Sequence, residues 1–66
     1  MTIARVTEIT AASTKSFEDA INAGLGKANE TLENIEGAWV KDMKVRVTDG
    51  RVSEYRVNLK LTFVLR

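Results

Sequence analysis

The chain has 66 residues, with 10 Lys+Arg against 9 Asp+Glu for a formal charge of +1, and it contains no Cys, His or Pro. Without Cys or His there can be no disulfide, no thiolate–imidazole zinc site and no Cys- or His-based catalytic set. The charges are spread without a basic block, which argues against nucleic acid as a partner. No apolar run approaches transmembrane length, and the start lacks a signal-peptide pattern, so the reading is a soluble, cytoplasmic protein with no membrane partner.

A chain of this size buries roughly 60% of its unfolded surface on folding, a small return against conformational entropy. Disulfides and zinc are excluded, and no EF-hand spacing is present. Oligomerisation is therefore the expected source of extra stability. No linker, repeat or low-complexity tract divides the chain, so residues 1–66 read as one domain.

Residues Thr2 to Thr10 carry β-branched side chains at Thr2, Ile3, Val6, Thr7, Ile9 and Thr10, which predicts a first strand broken by the Ala-Ala-Ser-Thr segment. Ser16 is a good N-cap, with Asp19 in an acidic first turn, so a helix is predicted to start near Phe17. Its apolar stripe is Phe17, Ala20, Ile21, Leu25, Ala28, Leu32 and Ile35, and Gly37 reads as the stop. Gly24 falls on the apolar face, where close approach to a sheet would explain it, whereas the pattern explains nothing about Gly26.

From Ala38 the period becomes two. Trp39, Met43, Val45 and Val47 fall on one predicted face, opposite Asp42, Lys44 and Arg46. The last segment alternates more cleanly, with Tyr55, Val57, Leu59, Leu61, Phe63 and Leu65 on one face and Glu54, Arg56, Asn58, Lys60, Thr62 and Arg66 on the other. A two-residue Asp49-Gly50 turn would set the odd face of one strand against the even face of the next. A three-residue loop of Thr48, Asp49 and Gly50, pairing Val47 with Arg51, aligns them and is the predicted register. The predicted fold class is α+β, in the order β-α-β-β: a three-stranded antiparallel sheet with one helix on one face. A last strand of roughly 50 Å, at about 3.3 Å per residue, is too long for one helix to cover. Neighbouring subunits are expected to supply the missing contacts.

Taken together, "RVTEI", "KSFEDAINAGLGKANETLENI" and "AWVKDMKVRVTDGRVSEYRVNLKLTFVLR" resemble the dodecin family from end to end. The resemblance implies a β-α-β-β subunit assembled into a hollow dodecamer, a homo-oligomer whose well-known members bind flavins. In those members a tryptophan at the start of the second strand stacks on the isoalloxazine ring, and a glutamine in "EYQ" meets the ring's polar edge. A gapless alignment with their "DWFEV" puts Gly37 at that tryptophan and Trp39 two residues along, a shift of about 6.6 Å that keeps the face of a strand. "EYR" puts Arg56 at the glutamine, and Val64 stands where those members often carry arginine.

Trp39 has two readings: packing in the core or at a subunit contact, favoured by the face it shares with Met43 and Val45, or, as the resemblance implies, a stacking platform for flavin or a similar aromatic ligand, whose ring matches a large planar indole. Parity places Arg56 on the opposite face from Trp39, so that only a neighbouring subunit would bring both to one ligand. Lys44, Arg46 and Lys60 form a basic stripe, either solvated and paired with Asp42 and Glu54 or an anion site for the phosphate of flavin mononucleotide (FMN) or coenzyme A. The cofactor-binding candidates are thus Trp39, Arg56, Lys44 and Arg46.

The favoured function is a dodecameric flavin-binding (riboflavin or FMN) storage protein. The alternative is a dodecin-type shell that binds calcium or coenzyme A instead, with Trp39 structural. No ligand set for a metal is assigned within the chain; Glu30, Glu33 and Glu36 are the residues that a cation site at a symmetry axis would use. No pair of residues forms a general acid–base or nucleophilic set, so no catalytic residues are expected and the chain does not read as an enzyme.

Overall fold

The structure, a computed structural model, describes residues 3–65. Strand β1 runs Ile3–Ser13, helix α1 Phe17–Ala28, strand β2 Ile35–Thr48 and strand β3 Arg51–Leu65. The three strands form one antiparallel sheet in the order β1-β3-β2, so the long last strand lies in the centre. This is the predicted β-α-β-β fold. Thr2 and Arg66, which the sequence placed in the first and last strands, lie outside the described residues.

Helix α1 begins where the cap predicts: Ser16 Oγ accepts from the Asp19 backbone N–H at 2.9 Å. It ends earlier than the stripe predicts. Asn29 is the C-cap, and Leu32 N–H still reaches Ala28 O at 2.9 Å before the chain turns through Asn34, whose φ is +60°. Leu32 and Ile35 do pack on the core, one from the loop and one from β2, so the apolar spacing is real but not helical. Asn29, Thr31 and Asn34 hold the helix poorly, and Ile35 gains a strand partner in Phe63. Gly37 therefore lies within β2 and stops no helix.

The helix packs over β1 and β3, and the core lies between, formed by Ala20, Ala28, Val57, Leu59 and Leu61. Leu59 is 0% exposed. Gly24 permits the close approach: a Cβ there would lie 2.9 Å from the Ala11 Cβ and 3.3 Å from the Ile9 Cδ1. A Cβ at Gly26 would meet nothing within 4 Å beyond the helix's own backbone. Phe17 meets Tyr55 edge to face, with ring centroids 5.1 Å apart. The helix covers less of β2, where Met43 and Val45 stay exposed although they pair with Val57 and Tyr55 on the helix side. Among the described residues no helix is long and apolar enough to cross a membrane.

The hairpin corrects the predicted register. Thr48 pairs with Arg51 and Val47 with Val52, leaving a two-residue turn of Asp49 (φ +52°) and Gly50 (φ +75°). Positive φ at both central residues is the type I′ pattern, whose twist suits a hairpin. The mismatch of faces that this turn creates is removed by a bulge: Arg46 pairs with Glu54, so Ser53 is the extra residue. Ser53 Oγ donates to Arg46 O at 3.2 Å and accepts from Thr48 Oγ1 at 3.1 Å, which holds the bulge from within.

Two further irregularities lie in β2, at Glu36 and at Lys41. The one at Lys41 reverses the strand's parity between Asp42, which pairs with Asn58, and Val40, which pairs with Leu59. Val40 thus turns toward the core, and Trp39 turns away from the helix, leaving the face shared with Met43 and Val45 that strict alternation predicts.

Candidate functional site

The helix-free face of the sheet is a set of cross-strand rows. In the first row Glu8, Lys60 and Trp39 stand side by side on β1, β3 and β2. The Lys60 ammonium lies 5.4 Å from the Trp39 ring centroid and 3.9 Å from Glu8 Oε1, and Lys41 Nζ reaches the same oxygen at 3.5 Å. An ammonium at that distance is attracted by the ring quadrupole. Trp39 is nevertheless 65% exposed, so the reading of it as core fails within the chain. The physical reason is the bulge at Lys41, which gives the core position to Val40.

The second row is a hydrogen-bonded chain across all three strands. Thr10 Oγ1 donates to Asn58 Oδ1 at 2.8 Å, and Asn58 Nδ2 donates to Asp42 Oδ1 at 2.8 Å. The third row sets Lys44 opposite Arg56, and Arg46 lies opposite Glu54 one step further. Lys44, Val45, Arg46 and Arg56 line a shallow cleft of about 310 Å³. Arg56 Nε is hydrogen-bonded to the Glu54 carboxylate. That bond, aided by the charges of Arg56 and Arg46, holds the Glu54 carboxyl below the usual carboxylate range against a smaller opposing effect of burial.

The structure therefore gathers all four candidate residues, Trp39, Arg56, Lys44 and Arg46, on one face of one chain. The expectation that Arg56 and Trp39 occupy opposite faces is corrected by the same bulge: an extra residue between Trp39 and Asp42 moves the ring to the face of Lys60, Asn58 and Arg56. Sequence reasoning gave no role to Glu8, Asn58 and Thr10, since each is an ordinary polar residue at an outward position and only the register joins them. Among the described residues no group of three or more carboxylates comes together to hold a metal ion. Glu30, Glu33 and Glu36 form no such group within one chain.

An exposed indole beside a relay of donors and acceptors, with cations at one end, suits a planar ligand with polar edges and an anionic tail. Comparison with known proteins agrees with the fold. No curated protein matches significantly in sequence. Among solved structures, dodecin from Streptomyces davaonensis is 29% identical, with 98% of this chain and 96% of that chain covered at a TM-score of 0.93. A variant of Thermus thermophilus dodecin is 29% identical, with 100% and 98% covered at a TM-score of 0.95. The calcium dodecin of Mycobacterium tuberculosis, described as calcium-chelating, is 25% identical, with 97% and 91% covered at a TM-score of 0.84. The family model described as Dodecin matches residues 3–66, and with this match over nearly the whole chain, the chain belongs to the dodecin family.

Proposed function

We propose that this protein is a flavin-binding storage protein that acts as a dodecameric shell in the cytoplasm, sequestering riboflavin or FMN by stacking the isoalloxazine ring on Trp39. The observation that carries this reading is the exposure of the Trp39 ring on the polar, helix-free face. A tryptophan that the chain leaves 65% exposed loses the hydrophobic contribution of burial, and a planar ligand restores it. Lys44, Arg46 and Arg56, which line the nearby cleft, would receive the phosphate of FMN. The apolar side chains of Met43 and Val45 beyond the reach of the helix support assembly with further copies. The protein is not an enzyme on this reading; holding the flavin against indole quenches its excited states.

The test is a riboflavin titration of the assembled protein, following flavin and Trp39 fluorescence together. Mutual quenching that saturates at about one flavin per subunit is expected, and absence of quenching at micromolar protein overturns the proposal. A second reading, a shell that binds calcium or coenzyme A with Trp39 structural, draws on the calcium-chelating relative and on the cationic cleft. Calorimetric titration with calcium and with coenzyme A, in wild type and Trp39→Ala, tests it: uptake of either ligand unaffected by the substitution, with no flavin bound, favours this second reading.

A further inference from the structure

We propose that Asp49-Gly50, at the tip of the hairpin, is a site of covalent self-modification, where the folded chain closes a succinimide and reopens it to an isoaspartyl linkage. Among the aspartates and asparagines of the sequence, Asp49 alone is followed by glycine. Glycine matters there because its nitrogen is the nucleophile, and a side chain on the residue that carries it would crowd the attack. Both residues are exposed, and a Cβ at Gly50 would meet nothing within 4 Å. Among the described residues the Asp49 carboxylate has no hydrogen bond or ion pair, and the Gly50 N–H has no acceptor, so neither group is held back from the other.

The step balances without a co-reactant. Gly50 N attacks Asp49 Cγ, the N–H proton leaves with the hydroxyl of the protonated carboxyl as water, and a five-membered imide closes. Water then adds at Cγ, which restores aspartate, or at the Asp49 main-chain carbonyl carbon. The second route breaks the original peptide bond and leaves the chain running through Cβ and Cγ, with the free carboxylate on Cα and the mass unchanged.

Ring closure needs the Gly50 nitrogen turned toward the Asp49 side chain, and a two-residue turn can do that without moving its strands. Type I′ and type II′ turns share a φ of about +60° at the first central residue and differ by rotation of one peptide plane, about 150° in the ψ of that residue. Asp49 already holds φ at +52°, and Gly50, now at +75°, accepts either sign of φ. The product adds one main-chain atom to a turn built for two residues. The Thr48 and Arg51 pair, and the Thr48 hydrogen bond to Ser53 beside it, are the contacts that loosen.

The competing explanation is that the hairpin protects Asp49 and the reaction waits for unfolding. Rates separate the two. The flipped turn puts Asp49 in a backbone region that residues other than glycine seldom occupy, so the native chain is expected to react roughly ten- to a hundredfold more slowly than a free peptide. Waiting for global unfolding would slow it by the unfolding equilibrium, on the order of 10³-fold or more. The assembled protein and a capped synthetic peptide of residues 46–52 are incubated side by side at physiological temperature and pH. Isoaspartate is read by methyl transfer from S-adenosylmethionine with an isoaspartyl methyltransferase, and located by mapping the tryptic peptide 47–51. The expected result is a second, methyl-accepting peptide of unchanged mass that grows at a rate within a hundredfold of the free peptide's. It should be absent in Asp49→Glu, whose longer side chain would have to close a six-membered ring. A native rate more than a hundredfold below that of the peptide overturns the proposal, as does methyl acceptance at Asp19 or Asp42 equal to that at Asp49, or acceptance undiminished in Asp49→Glu.

Discussion

Trp39 and Lys60 stand opposite each other on neighbouring strands, with the ammonium 5.4 Å from the ring centroid, on the side of the sheet away from the helix. The pairing turns on the bulge at Lys41: strict alternation would put Trp39 on the helix side with Met43, whereas the extra residue sends Val40 inward to Leu59. The indole keeps one cationic neighbour and an exposed surface.

The first consequence is a contrast in stability. Trp39→Ala removes a largely exposed ring and its contact with Lys60, so unfolding free energy is expected to fall by less than about 1 kcal/mol. Leu59→Ala, at a site with 0% exposure, is expected to cost about 2–5 kcal/mol. Urea denaturation measures both, and a loss for Trp39→Ala as large as that for Leu59→Ala would place the ring in packing.

The two helix glycines are expected to respond in opposite directions. At Gly24 a Cβ meets Ala11 at 2.9 Å, so Gly24→Ala must separate helix from sheet and is expected to cost about 1–3 kcal/mol. Gly26 faces open space, and Gly26→Ala should stabilise by about 0.5–1 kcal/mol through helix propensity alone. Thermal melts of the two variants give the comparison.

The turn tests the corrected register. Gly50 holds φ at +75°, a conformation that costs an L-residue about 1–2 kcal/mol, and Gly50→Ala is expected to lose that amount. The loss should be seen in the equilibrium unfolding midpoint.

Glu54 supplies a pH dependence. Its carboxyl titrates below the usual range because Arg56 hydrogen-bonds its charged form. A group whose pKa is depressed by folding contributes stability above its unfolded pKa, and that contribution is lost as pH falls through the folded value. An NMR titration should place Glu54 below the ordinary glutamate value, and Arg56→Ala should raise it toward that value. The effect on stability is expected to be small, because the pair sits at the surface.

Local chemistry and periodicity determined a good deal by themselves. Ser16 with Asp19 marks the helix start, the alternation from Tyr55 to Leu65 marks the central strand's buried face, and the placing of Gly24 among apolar residues marks the close contact with the sheet. Absence of Cys and His removes whole classes of chemistry. These are legible because each depends on neighbours within one or two turns of chain, where a side chain's choice of face follows from a fixed period.

Tertiary structure alone decided which face carries Trp39, where the helix ends and how the hairpin closes. The face of Trp39 and the closing of the hairpin each turn on a one-residue slip: an extra residue at Lys41 or Ser53 costs little locally, yet it reverses every side chain that follows it. A two-residue type I′ turn at Asp49-Gly50 is preferred for its twist, and the bulge at Ser53 then restores the buried faces. Periodicity cannot register such an exchange, because the gain comes from packing against Leu59 and from Asn58 joining Thr10 to Asp42, between residues far apart in the chain and brought side by side only when the sheet forms.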